Sequence, residues 1–118
     1  MLNIRETAQK LTTLSPLMIN KEKLALEEIS NGETVVSINS IDLFELDGED
    51  IAVFTTEEYE DKFSFGGIAL KNLINGLLDN LNITIEELNK SLNKEPLEVV
   101  FIRSKTKKGH DITKIKIV

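Results

Sequence analysis

Residue types on which many protein chemistries depend are absent or scarce in this chain of 118 residues. It has no cysteine, which excludes disulfides, thiolate zinc sites and thiol catalysis. The only histidine, His110, has no carboxylate pair or nucleophile beside it, so we expect a binding protein and not an enzyme. No apolar run approaches the roughly 20 residues that cross a bilayer. We expect a cytoplasmic protein with no cofactor, no metal and no membrane partner.

Charge is distributed unevenly along the sequence. The chain has 20 acidic and 14 basic residues, a formal net charge of −6. Residues 97–118 hold six of the basic but only two of the acidic residues, so they carry +4 and the remainder carries −10. Overall acidity argues against a surface that binds nucleic acid everywhere. A local basic site is still compatible with it, because salt screens charges beyond about 8–10 Å.

The first part of the chain, 1–32, predicts an N-terminal helical extension. Its first helix carries an apolar stripe at Ile4, Ala8, Leu11 and Leu14. A second helix is expected between an N-cap at Asn20 and the Asn-Gly pair that ends the segment. Proline between the two helices biases the chain out of helical conformation, which separates them.

The remainder, 33–118, predicts three strands, a helix and two closing strands. The first strand, ETVVSINSIDLFEL, changes the parity of its apolar residues halfway, which predicts a β-bulge near Asn39-Ser40. Asp47-Gly48 then predicts a hairpin turn.

Two helical signals follow the third strand. An apolar stripe runs from Leu70 to Leu81, and a capping box at Thr84 and Glu87 starts a shorter helix. The order strand-strand-strand-helix-strand-strand is that of the five-stranded OB-like barrel, so we predict an α+β, mostly β fold of this type. The alternative is an open antiparallel α+β sandwich. In either case 1–32 and 33–118 form a single structural unit.

The last two strands, LEVVFIRS and DITKIKIV, are joined by a lysine-rich turn. If Lys108-Gly109 is a two-residue turn, alternation places Val100, Ile102, Ile115 and Ile117 on a core face. The other face then carries Phe101, Arg103, Lys105, Lys114 and Lys116. Like charges that face each other destabilise a sheet, and a cluster kept despite this cost indicates an anionic partner. Lysines that only protect a sheet edge are the alternative.

Cations beside an exposed ring are the elements of single-stranded DNA recognition, because cations contact phosphates while rings stack on bases. The candidate nucleic-acid-binding residues are Phe101, Arg103, Lys105, Lys107, Lys108, Lys114, Lys116, Phe63 and Tyr59. The alternative is a protein-interaction module whose acidic surface occupies a basic site on another protein, with Glu45, Glu57, Glu58, Glu60 and Asp61 as its candidates. A homo-oligomer is compatible with both.

Two segments, AVFTTEEYEDKFSFGGIAL and SKTKKGHDITKIKI, carry a family resemblance. They resemble small proteins of Gram-positive bacteriophages and mobile elements, in which an acidic loop with a tyrosine precedes an aromatic strand, Gly-Gly and a helix. The resemblance implies an OB-type protein that binds single-stranded DNA as a replication or recombination accessory of a phage or mobile element. The alternative, a protein-interaction module that uses its acidic surface, would be a phage-encoded modulator of a host protein.

Overall fold

The computed structural model describes residues 4–5 and 15–118, and within them six strands form one sheet on which two α-helices pack. The strands are β1 (Glu22–Lys23), β2 (Asn31–Leu46), β3 (Glu49–Thr56), β4 (Lys62–Phe65), β5 (Leu97–Lys105) and β6 (Asp111–Ile117). The helices are α1 (Gly67–Leu81) and α2 (Ile85–Lys94), and two short 3-10 helices span Pro16–Met18 and Leu26–Ile29.

The sheet has the strand order β1-β4-β3-β2-β5-β6, and all neighbours are antiparallel except β1 and β4. Within the described residues no pairing joins β4 to β6, which is the contact that would close a barrel. The molecule is therefore a mixed α+β protein with an open six-stranded sheet. The alternative fold class fits this architecture, and the OB-like barrel is not confirmed.

The second helix predicted for the N-terminal extension is wrong. Glu22 and Lys23 instead pair with β4, and the Leu24 N–H donates a hydrogen bond to the Phe63 carbonyl at 2.8 Å. Pairing with the edge of an existing sheet outweighs a helical propensity that only a modest apolar stripe supports. The stripe of the first predicted helix lies outside the described residues except at Ile4, which is helical and exposed.

β2 is long enough to serve two neighbouring strands. Residues 31–38 pair with β5, and residues 38–46 pair with β3. The register shifts between Ile38 and Ser40, which confirms the predicted bulge. Because one extra residue changes the phase of a strand, Ile38 and Ile41 both enter the main core. The predicted turn is also confirmed, since only Asp47 and Gly48 separate β2 from β3.

The two faces of the sheet carry separate apolar clusters. The helices cover the main core, to which α1 contributes Leu70 and Ile74 and α2 contributes Leu88 and Leu92. The opposite face carries a smaller cluster of three buried residues, Phe44, Val53 and Phe63, against which Leu17 and Met18 pack. The predicted capping box of α2 is confirmed, with Thr84 and Glu87 bonded to each other's backbone N–H groups.

A side chain of α2 completes the hydrogen bonding of β2 just past the bulge. The Ile41 N–H donates to Asn89 Oδ1 at 2.8 Å, and Asn89 Nδ2 donates to the Ile41 carbonyl at 2.8 Å. The pairing of β5 with β2 ends at Leu97 and Ile38, so β5 does not reach this position. The Asn89 amide therefore takes the place of a neighbouring strand.

Replacing Asn89 with alanine is expected to lower the free energy of unfolding by about 1–3 kcal/mol, because two partly buried backbone groups lose their partners. Urea denaturation measures the change. The matched control is Asn93→Ala, an exposed asparagine of the same helix, for which a change within about 0.5 kcal/mol is expected. Equal losses in the two variants would contradict this role of Asn89.

Candidate nucleic-acid interface

The loop between β5 and β6 differs from the predicted two-residue turn. The Thr106 N–H donates to the His110 carbonyl at 2.9 Å, and the Gly109 N–H donates to the Thr106 carbonyl at 2.9 Å. These bonds enclose residues 107–109, and Gly109 has a φ of 82°. A three-residue loop that ends in a left-handed glycine is a common hairpin connection. The loop is therefore one residue longer than predicted.

The longer loop moves the pairing register of the hairpin by one residue. Phe101 is paired with Ile115, Ile102 with Lys114, and Val100 with Lys116. Because a one-residue shift reverses the faces of one strand relative to the other, the predicted basic face is wrong. Arg103 and Lys105 lie on the core side of the sheet, whereas Lys114 and Lys116 lie on its outer side.

Two of the three predicted stacking residues are buried, and the third is partly buried. Phe101 is 0% exposed and stacks on Phe54 in the main core, with ring centroids 5.2 Å apart. Phe63 is buried in the smaller cluster, and Tyr59 is partly buried against the main core. The expectation that Phe101 is an exposed stacking residue is therefore wrong. The sequence around Phe101 could not decide between an exposed and a buried ring, because an aromatic residue on a strand also fits a core position.

The end of the hairpin projects past the rest of the sheet. The pairing of β5 with β2 ends at Ile102 and Asn31, and the Arg103 N–H donates to the Ser30 carbonyl at 3.2 Å. Beyond this point β5 and β6 pair only with each other. We call residues 103–114 the basic arm.

The basic arm carries five cations and one carboxylate, a formal charge of +4. Its cations are all exposed and are Arg103, Lys105, Lys107, Lys108 and Lys114. Lys116 is also exposed and lies next along β6, on the same face as Lys114. The structure thus gathers all six predicted cationic residues at one hairpin, on both faces and in the loop.

One cation of the arm is already paired within the molecule. Arg103 Nη2 lies 2.9 Å from Asp111 Oδ2, and both side chains are half exposed. This hydrogen bond and the negative charge of Asp111 raise the pKa of Arg103 above its ordinary value. An exposed pair of this kind adds little to stability. Within residues 4–5 and 15–118 the lysines of the arm make no ion pair, so they are the charges available to a ligand.

A concave apolar site, which the sequence analysis did not predict, lies between the β2–β3 hairpin and the start of α1. The cavity has a volume of about 550 Å³. Apolar side chains line most of it: Phe44, Leu46, Ile51, Ala52, Phe65 and Ile68. Two apolar residues in the sequence could have indicated this site. Leu46 directly precedes the turn at Asp47-Gly48, and Ile68 lies outside the apolar stripe of α1.

Two other kinds of site are absent from the part of the chain that the structure describes. No group of three acidic or histidine side chains there could hold a metal ion. No helix there is long and apolar enough to cross a membrane.

Comparisons with known proteins found no family model, no curated protein and no solved structure that matches this chain. The class that the structure defines is a mixed α+β protein with an open six-stranded sheet and a projecting basic hairpin. The resemblance to phage and mobile-element proteins stays a prediction.

Proposed function

We propose that this protein binds single-stranded DNA through the basic arm, without strong sequence preference and without making or breaking a covalent bond. The observation that carries the proposal is the projection of five cations at one end of an otherwise acidic molecule. In the cell the protein would act in the cytoplasm, as a replication or recombination accessory of a phage or mobile element.

The geometry of the arm favours contacts to phosphates over contacts to bases. Cations lie on both faces and in the loop, so a flexible strand can wrap around the arm and meet a cation on each side. Phe101 and Phe63 are buried, and the partly buried Tyr59 lies outside residues 103–114, so the arm lacks the aromatic half of a single-strand site. Phosphate contacts position a nucleic acid without reading its sequence, which is the basis for the weak sequence preference proposed here.

The OB-like interpretation of the fold belongs to the same proposal. The pairing of β2 with two neighbours on either side of a bulge supports it, because one bent strand serves both halves of such a barrel. The position of α1 in the strand order supports it as well, since α1 follows the third strand of the expected five. A pairing of β4 with β6 is what a closed barrel would add.

Removing two lysines from the loop of the arm is expected to weaken DNA binding at least about tenfold at low salt, because each lysine that neutralises a phosphate releases counterions. The change is Lys107→Ala/Lys108→Ala, and both side chains are exposed. The measurement is fluorescence anisotropy of a labelled thymine oligonucleotide of about 30 bases at two salt concentrations. Each phosphate contact to a single strand contributes roughly 0.7 to the slope of log K against log salt. The loss of two contacts is therefore expected to reduce the magnitude of this slope by about 1.4.

The matched control for the loop variant is Lys90→Ala/Lys94→Ala, which removes the same charge from exposed positions of α2. Binding by this control is expected to stay close to that of the unchanged protein. Equal weakening in both variants would mean that only net charge matters and would remove the arm from the proposal. If the unchanged protein does not bind at low salt, DNA binding is refuted, and the alternative function as a protein-interaction module takes its place.

A further inference from the structure

The two ends of β2 lie beside surfaces of opposite charge. Its first residue, Asn31, pairs with Ile102, where the basic arm begins, and its last residue, Leu46, pairs with Glu49 across the β2–β3 turn. A strand of 16 residues spans roughly 50 Å, which is close to the longest dimension of the molecule, 55 Å. The basic arm and the β2–β3 turn therefore lie at the two ends of β2, in a molecule that is longer in one direction (55 Å) than in the other two (31 and 30 Å).

The end at the β2–β3 turn is strongly acidic. Residues 45–50, which we call the acidic end, contain four carboxylates and no basic residue. The four are Glu45, Asp47, Glu49 and Asp50, and all are exposed. Their combined formal charge of −4 is equal and opposite to that of the basic arm.

The acidic end also forms one side of the 550 Å³ apolar cavity. Leu46 is 45% exposed and Ile68 is 77% exposed, so two large aliphatic side chains at this cavity face solvent. Glu49 and Asp50 line the same cavity together with one cation, Lys71, so its charged lining is acidic by one net charge, and the exposed Glu45 and Asp47 beside it add two more negative charges. A concave apolar site with carboxylates at its edge suits an aliphatic side chain that is flanked by cations.

The basic arm has the side chains that such a site requires. Ile112 is 37% exposed and is the one large apolar side chain that the arm exposes to solvent. It lies on the same face as Lys114, two residues along β6, and near the lysines of the loop. Charge and apolar surface thus match at the two ends of β2, on different parts of one molecule.

We propose that the basic arm of one molecule docks at the acidic end of a second copy of this chain, with Ile112 in the apolar cavity. The two surfaces differ and lie at opposite ends, so the contact is heterologous and its repetition gives open chains and not a closed dimer. The contact is small and its charges are exposed, so association is weak and decreases with salt. This inference does not rest on DNA binding. The lysines of one arm cannot serve both partners at once, and the test uses no nucleic acid.

Charge reversal at each end tests the contact. The variants are Glu49→Lys/Asp50→Lys at the acidic end and Lys107→Glu/Lys108→Glu in the arm. Sedimentation velocity is run at about 20 mM and about 300 mM salt, where the Debye length is roughly 20 Å and 6 Å. At about 100 µM the unchanged protein is expected to form species larger than a monomer in low salt, as a micromolar Kd implies. Each variant alone is expected to remain a monomer.

The mixture of the two variants gives the decisive result. Each variant brings the formal charge of its changed end to zero. In an equimolar mixture the unchanged arm of one variant can meet the unchanged acidic end of the other, so association into pairs is expected to return. A monomeric mixture, or association of either variant alone at the level of the unchanged protein, would overturn the proposal. A monomeric unchanged protein in low salt would overturn it as well, and that result would leave DNA binding by the arm unaffected.

The apolar part of the contact has its own variants. Ile68→Ser at the cavity and Ile112→Ser in the arm are expected to weaken association without any change in charge. The matched control is Leu81→Ser, at a side chain that is 59% exposed at the other end of α1. Association that is as strong in Ile68→Ser and Ile112→Ser as in the control would overturn the assignment of the cavity.

Discussion

Replacing Phe101 with alanine is expected to lower the free energy of unfolding by about 3–5 kcal/mol. The ring is 0% exposed, stacks on Phe54 and lies in the core that both helices cover, so its removal leaves a cavity there. Because the free energy of unfolding of small domains is about 5–15 kcal/mol, this loss is a large part of the total stability. Urea denaturation followed by circular dichroism measures the loss.

Two further variants in the β5–β6 hairpin show whether the loss of stability comes from the removal of core packing at Phe101. Phe101→Leu keeps most of the apolar volume and is expected to lose less than Phe101→Ala. Ile112→Ala, at a partly exposed side chain of the same hairpin, is expected to change stability by less than about 1 kcal/mol. A Phe101→Ala protein that is as stable as the unchanged one would contradict the buried position. A loss of DNA binding in Phe101→Ala is therefore informative about binding only if the variant is still folded.

Replacing Gly66 with alanine is expected to lower the free energy of unfolding by about 3 kcal/mol, because the added methyl group overlaps a packed side chain. A Cβ at position 66 would lie 2.5 Å from the Cβ and 2.8 Å from the Cγ of Leu70. Leu70 is 1% exposed, and the Gly66 N–H is bonded to the Ala52 carbonyl at 3.0 Å. Neither group can move without a shift of α1 on the sheet.

The matched control is Gly76→Ala in the same helix. Apart from its chain neighbours and the backbone of its own helix, a Cβ at position 76 would meet no atom within 4 Å. Alanine has the higher helix propensity, so this variant is expected to raise the free energy of unfolding by about 1 kcal/mol. Thermal and urea unfolding of both variants measure the difference. Similar stabilities for Gly66→Ala and Gly76→Ala would refute the close approach of the Leu70 side chain to Gly66.

The two glycine positions show how local and tertiary effects differ in this fold. The sequence predicts a turn at Gly66 from its position between a strand and a helix. Only the packed structure shows that Leu70 occupies the space in which a side chain of residue 66 would lie. The same substitution is therefore expected to change stability in opposite directions at two glycines that lie ten residues apart.

The location of the candidate DNA site could be predicted from the sequence, but its shape could not. The concentration of basic residues in 97–118 is a property of the composition, so no fold can remove it. Which of these residues share a face depends on the hairpin register, and one additional loop residue changed every cross-strand pair. Loop length is decided by hydrogen bonds between Thr106, Gly109 and His110, which no periodicity reveals.

Local sequence patterns specify the strands of residues 33–118, the bulge in β2, the turn at Asp47-Gly48 and the capping box of α2. Each depends on side chains that are close together in the chain, so local chemistry specifies it. Three other features follow from the complete fold: residues 22–23 join the sheet, Phe101 lies in the core, and the sheet stays open. Those outcomes depend on contacts between residues far apart in the chain, where packing and strand pairing outweigh local preference.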